Sequence, residues 1–329
     1  MTVKKKILTA YCLSYGNWTV IPKQWRESFM DMRDNGFDAV ALSFSESEMC
    51  YSRRTIELQI RYAHDCGLKV YLIPSRIGGR FAGAPLMPCL WLVDHPECQL
   101  PESPGAACLE SPAFRRWALE FVSILTREYD ADGIIWDEPK QVAAVTRHPD
   151  AIARFGGVPT PEQAQDSFVE FLAELTAAVR VRPDLDITLF NMPVSPEYFT
   201  ARAAGIAGID YCGFDGVFSK QSYFHEPPRR HKHSLNSSWQ RTVRECAATG
   251  RKTFALIENI LIPGTAHHEL EEELERFLDC AAPDHLACYY YGHNNECPEE
   301  VQRITMDAVR RYRSARSQSL GQEVQTVLS

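Results

Sequence analysis

Eight apolar, strand-like runs alternate with amphipathic helical patterns along 329 residues, which predicts an α/β protein of the (β/α)8 TIM-barrel class in one domain. Polar residues gather at the C-terminal ends of those runs, where a parallel barrel opens its active-site mouth. Neither GxGxxG nor GxxxxGK(S/T) occurs, so the runner-up, a doubly wound sheet, lacks a nucleotide-binding signature.

The first strand is expected over Ile7 to Ser14, followed by a helix from about Lys23 to Asn35 that Gly36 closes. Strand 2 follows at Ala39 to Phe44, then a helix from about Arg54 to Cys66 stopped by Gly67, and strand 3 at Lys69 to Pro74. Arg76 to Glu110 reads as a long irregular segment rich in Gly, Pro and Cys, a length that in a compact domain points to a functional loop. Ser111-Pro112 opens the next helix as N-cap and first-turn proline. That helix leads to strand 4 at Gly133 to Trp136. A helix over Pro161 to Arg180 precedes strand 5 at Ile187 to Asn191, and strand 6 lies near Tyr211 to Asp215. Strand 7 is expected at Thr253 to Glu258 and strand 8 at Ala287 to Tyr291, with helices over His268 to Asp279 and Glu299 to about Ser314. The barrel is assigned to residues 1–316 and a polar C-terminal tail to 317–329.

A net charge of -8 and a pI near 5.7 argue against nucleic acid or an anionic membrane as partner. No run approaches transmembrane length. Lys4 to Lys6 lead into Ile7 to Leu13, too short and too soon polar for a secretory core, so a cytoplasmic location is expected. Eleven cysteines without a CxxC pair read as reduced thiols, Cys212 and Cys288 among them as small buried hydrophobes. No cofactor is expected; a homo-oligomer is compatible with the composition.

The chemistry concentrates at two strand ends. Ile134-Ile135-Trp136-Asp137-Glu138-Pro139 carries an apolar strand into two adjacent carboxylates, and Phe254-Ala255-Leu256-Ile257-Glu258-Asn259 ends a second strand in a glutamate. Strands 4 and 7 face each other across an eight-stranded mouth, so one carboxyl group can protonate a leaving glycosidic oxygen while the other attacks or stabilises the sugar. The bland reading pairs Glu138 with Lys140 or Arg76 as a structural ion pair.

Glutamates at the ends of strands 4 and 7 of a (β/α)8 barrel resemble the clan A glycoside hydrolases, which are retaining enzymes. Carried over by position, the resemblance implies Glu138 as acid/base and Glu258 as nucleophile. It covers the whole chain as architecture and two short segments as motif. The clan has asparagine before the acid/base; here Asp137 stands there, an acceptor that alters recognition of the sugar 2-position and raises the pKa of Glu138 by like-charge repulsion. Either Asp137 or Glu138 can then be the working acid.

A carbohydrate substrate needs aromatic platforms and hydroxyl-reading groups. Trp18, Trp136 and Tyr291 are the candidate platforms, Tyr291 being favoured among the three tyrosines of Tyr289-Tyr290-Tyr291. Arg76, Asn191, Asp215, His293 and Asn294 are the candidate hydroxyl readers. The basic loop Lys220 to His233 reads as a solvated segment, with a lid as the other possibility. His231/His233 and His267/His268 lack carboxylates at ligand spacing, so no metal site is assigned. Two other readings stay open: a metal-dependent sugar isomerase or epimerase on the same barrel, and a catalytically inactive carbohydrate-binding barrel.

Overall fold

The computed structural model describes residues 6–13, 21–83, 87–218 and 234–328, with side chains through residue 314. Eight parallel strands close into a barrel: β1 (Ile7–Cys12), β2 (Ala39–Phe44), β3 (Lys69–Pro74), β4 (Gly133–Asp137), β5 (Asp186–Asn191), β6 (Tyr211–Gly216), β7 (Lys252–Ile257) and β8 (His285–Tyr289). Each strand pairs with its sequence neighbours and β8 pairs with β1, which completes the ring.

The outer layer holds α1 (Pro22–Asp34), α2 (Arg53–Asp65), α3 (Pro112–Glu128), α4 (Pro161–Val179), α5 (Glu197–Ala204), α6 (Leu235–Thr249), α7 (His267–Cys280) and α8 (Pro298–Leu328). Their starts follow local chemistry. The Ser111 hydroxyl accepts from the Phe114 N–H, with Pro112 pre-set for the first turn. Thr160 and Gln163 form a reciprocal capping box at the start of α4. The helix α8 runs on to Leu328, well past the stop expected near Ser314. The segment 76–110 is more ordered than its composition suggests: it contains short helices at Leu90–Asp94 and Pro96–Cys98 and a hairpin pairing Gln99–Leu100 with Ser103–Ala107. A short helix, Glu46–Tyr51, also follows β2, and Ser45 serves as its N-cap in a capping box with Glu48.

Strand alternation builds two apolar shells. The outward faces, including Val40, Leu72, Ile134, Trp136, Leu189 and Ile257, meet the helices. The inward faces fill the barrel with Tyr11, Tyr71, Ile135, Phe190, Tyr211, Phe254, Leu256 and Tyr289. At the lower level His285 sits fully buried, bonded to Thr9 Oγ1 at 2.7 Å and Thr188 Oγ1 at 3.3 Å, with the rings of Tyr71, Tyr211 and Phe254 around it at 5.0–5.4 Å. Burial pushes this imidazole down to about 3, so it plugs the barrel as a neutral ring. Among the described residues no helix is long and apolar enough to cross a membrane.

The plug carries a pH signature. An unfolded His285 takes up a proton near 6.5 and the folded one only near 3, so the unfolded chain binds the extra proton between those values. Stability from this group is complete above pH 6.5 and falls as pH drops through the window, by up to about 1.4 kcal/mol per unit. Urea midpoints measured at pH 7 and pH 4.5 should therefore drop less in His285→Gln than in the wild type; an equal drop would show that the imidazole is not held neutral.

Candidate active site

The strand ends bring four carboxyl groups into one cavity of about 480 Å³ at the C-terminal rim, lined by Asp137, Glu138, Asp215 and Glu258 together with Arg76, Phe190, Tyr289, His293 and Asn294. Alternation explains the delivery: Ile135 and Asp137 on β4 and Gly213 and Asp215 on β6 share the inward parity. Glu138 and Glu258 each follow the last residue of a strand. Their backbone N–H groups still join the ladder, Glu138 to the Phe190 carbonyl at 3.2 Å and Glu258 to the Gly216 carbonyl at 2.9 Å. Glu138 adopts a left-handed φ of 39°, which departs from the regular strand conformation. One carboxylate oxygen from each of Glu138, Asp215 and Glu258 lies within 4.8 Å of the other two. That spacing could also accommodate a bridging cation, but the Lys140 ammonium already rests on Glu138 Oε2, so the chain supplies positive charge at this point itself.

Burial sets the electrostatics. Desolvation, then the Glu138 charge, pushes Asp137 up to about 7, against the pull of the Tyr11 hydroxyl, which donates to Asp137 Oδ2, and of Lys140 and Arg76. Desolvation and the charges of Glu138 and Glu258 drive Asp215 well above the carboxylate range. The rise expected for Glu138 beside Asp137 falls on Asp137 instead: burial would raise Glu138, but the hydrogen bond with Asp215 and the charges of Lys140 and Arg76 outweigh it and leave Glu138 below its usual value. Glu258 is pushed up to about 8 by burial and by the Glu138 charge, with its Asp215 hydrogen bond acting in opposition. The site thus holds protonated and ionised carboxyl groups side by side.

Several sequence candidates stand elsewhere. Trp136 has the opposite parity to Asp137, is fully buried and packs on Phe81 in the helix-facing shell, so it is not a platform in the cavity. Asn191 follows the inward Phe190, is buried, and does not line the cavity. Tyr291 is half exposed and packs edge-on against Tyr290; β8 ends at Tyr289, two residues earlier than expected, and Tyr289 takes the cavity position. Trp18 and the basic loop 220–233 lie outside the described residues. Asn259 and Asn295, polar residues just beyond β7 and β8, anchor the rim. Asn259 exchanges hydrogen bonds with the Tyr289 backbone at 3.0 and 3.1 Å, and Asn295 donates to the Asn259 and Gly292 carbonyls. A Cβ at Gly292 would lie 1.7 Å from the Asn259 carbonyl oxygen, so the turn presenting His293 and Asn294 requires glycine there.

Three residues outside the sequence-derived site shape it. Tyr11 could have been found from the inward parity of Thr9 and Tyr11 on β1. Lys140 entered the sequence reading only as the ion-pair partner of Glu138, a pair that the structure forms, and Arg80 left no pattern. Arg80 is buried, and no carboxylate ion-pairs with it among the described residues; instead its guanidinium donates to the carbonyls of Ala107 at 2.7 Å, Gln141 at 3.0 Å and Lys140 at 3.4 Å, and lies over the Phe168 ring. The Lys140 N–H returns a bond to the Arg80 carbonyl at 2.8 Å. Arg80 therefore stitches the loop after β3 to the turn that carries Glu138. Arg80→Met strands the buried Ala107 carbonyl at about 1 kcal/mol or more and the partly buried carbonyls of Lys140 and Gln141 at less, so urea unfolding should show a loss of about 2 kcal/mol. A loss below about 1 kcal/mol would mean that water replaces the guanidinium.

No protein-family model and no curated protein sequence matches the chain. Solved structures do match its fold. The catalytic domain of β-amylase from Paenibacillus polymyxa aligns over 94% of this chain and 98% of that one at a TM-score of 0.59 and 11% identity. The endo-1,4-β-mannanase of Rhizomucor miehei aligns over 94% of this chain and 95% of that one, with a TM-score of 0.64 at 10% identity. A GH5_18 protein of Bifidobacterium longum subsp. longum, in complex with Manb1-4GlcNAc, covers 94% of this chain and 79% of that one, with a TM-score of 0.63 at 13% identity. Likeness at this identity is likeness of fold: the chain is a (β/α)8 barrel of the shape seen in these carbohydrate-active proteins.

Proposed function

We propose that the protein is a glycoside hydrolase acting on a small saccharide or glycoside with retention of configuration, using Glu138 and Glu258 as its catalytic pair. The observation that carries this reading is that one carboxylate oxygen of Glu138 lies within 4.8 Å of one of Glu258 at the mouth of the barrel, an approach too close for an inverting pair. Retaining pairs stand about 5–5.5 Å apart, whereas inverting pairs stand about 6.5–9.5 Å apart to admit a water between them. In a double displacement one carboxylate attacks the anomeric carbon while the other carboxyl group protonates the departing oxygen. The second group then takes a proton from water as that water releases the sugar from the first.

The lining suits a sugar ring. Phe190, Tyr289 and Leu256 offer apolar surface, and Arg76, Asp137, Asp215, His293 and Asn294 can read hydroxyls. The fold likeness to a mannanase, and to a protein bound to Manb1-4GlcNAc, makes aryl mannosides, glucosides and N-acetylglucosaminides the first substrates to try.

On a substrate so identified, Glu138→Gln and Glu258→Gln should each lower kcat for an unactivated glycoside by at least about 10³-fold, with circular dichroism unchanged. Saccharide binding without turnover in the wild type, tolerant of both substitutions, would identify a binding barrel instead. Turnover should also survive extensive chelation. A strict requirement for added Mn²⁺ or Mg²⁺ would replace the hydrolase reading with that of a sugar isomerase.

A further inference from the structure

The two glutamates are not equivalent in their surroundings. Lys140, two residues beyond Glu138, places its ammonium on Glu138 Oε2 and 3.2 Å from Met192 Sδ. Its backbone is pinned on both sides by Arg80, so the ammonium is carried on a fixed turn rather than a free loop. Asp215 on β6 faces both glutamates, so it does not tell them apart; the Lys140 contact does. Glu258 has no ion pair among the described residues. The groups around the pair are Arg76 beyond β3, Asp137 on β4, Asp215 on β6, and Tyr289 and His293 at the end of β8.

Resting on the hydrolase reading, we propose that Lys140 is a positioning residue that fixes Glu138 as the attacking carboxylate and leaves Glu258 to move the proton. This is the reverse of the division that the resemblance implies. A Glu138 oxygen forms the bond to the anomeric carbon as the bond to the leaving oxygen breaks. The Glu258 proton passes to that oxygen. Glu258, now a carboxylate, takes a proton from water, whose oxygen attacks the anomeric carbon, and the bond to Glu138 breaks to restore its carboxylate. Burial favours a protonated Glu258 before the first step, and the Lys140 charge favours an ionised Glu138.

Aryl glycosides with graded leaving groups separate the roles. A dinitrophenolate needs no proton to depart, so Glu258→Gln should keep kcat/KM for the dinitrophenyl glycoside within about 10-fold of wild type, with a burst of dinitrophenolate as the second step slows, while losing at least about 10³-fold on the methyl glycoside. Glu138→Gln should lose both alike. In Lys140→Met the acid limb of kcat/KM should move up by about one unit with kcat falling more than KM changes, and Lys140→Arg should restore it. Carboxyl ¹³C resonances, assigned through Glu138→Gln and Glu258→Gln, should show Glu138 ionising at lower pH than Glu258, with Lys140→Met narrowing the gap. The opposite leaving-group pattern, or Glu258 ionising first, overturns the proposal while the hydrolase stands. Absence of turnover on every glycoside overturns both.

Discussion

Asp137, Glu138, Asp215 and Glu258 share one cavity whose floor is ring and hydrocarbon, and like charges in such a place cannot all ionise. Much of the rim's detail answers that constraint. Tyr11 donates to Asp137, Lys140 stands on Glu138, burial and its charged neighbours favour a protonated Asp215 between the two glutamates, and Arg76 faces the group from the loop after β3. Arg80, which touches none of the carboxyl groups, holds the turn that makes the Lys140 contact geometrically possible. Two glutamates in opposite electrostatic settings, one held below and one pushed above its usual value, arise from this arrangement without any difference in residue type.

The architecture was legible because parallel strands buried on both faces write long apolar runs, and helices between them write their own period and caps. All eight strands fall where the runs do. The carboxyl groups were legible for the same reason: Asp137, Glu138, Asp215 and Glu258 stand where an apolar run stops. The platforms were not. Whether Trp136 or Tyr291 faces the cavity depends on parity counted from the strand's true end, and an error of two residues at β8 moved the expected position from Tyr289 to Tyr291. Asn191 failed by parity too, one step past the inward Phe190.

Arg80, and the turn that fixes Lys140 on Glu138, were illegible for another reason. Their roles depend on a left-handed Glu138, a left-handed Gln141 and a backbone path that returns from residue 80 to residue 140. No periodicity records such a path. The segment 76–110 likewise looked irregular by composition, yet it folds into short helices and a hairpin whose Ala107 carbonyl is one of the three that Arg80 holds.

The imidazole of His285, enclosed by Tyr71, Tyr211 and Phe254, makes the barrel a vessel closed at the bottom. The charged hollow under the opposite rim, where Lys69, Asp186 and Tyr211 meet, is cut off from the carboxyl groups by that layer. Among the described residues that floor leaves the rim as the way both to and from Glu138 and Glu258. Arrival and departure therefore compete for the same passage, and a molecule lingering there stands in the way of the next one, water included.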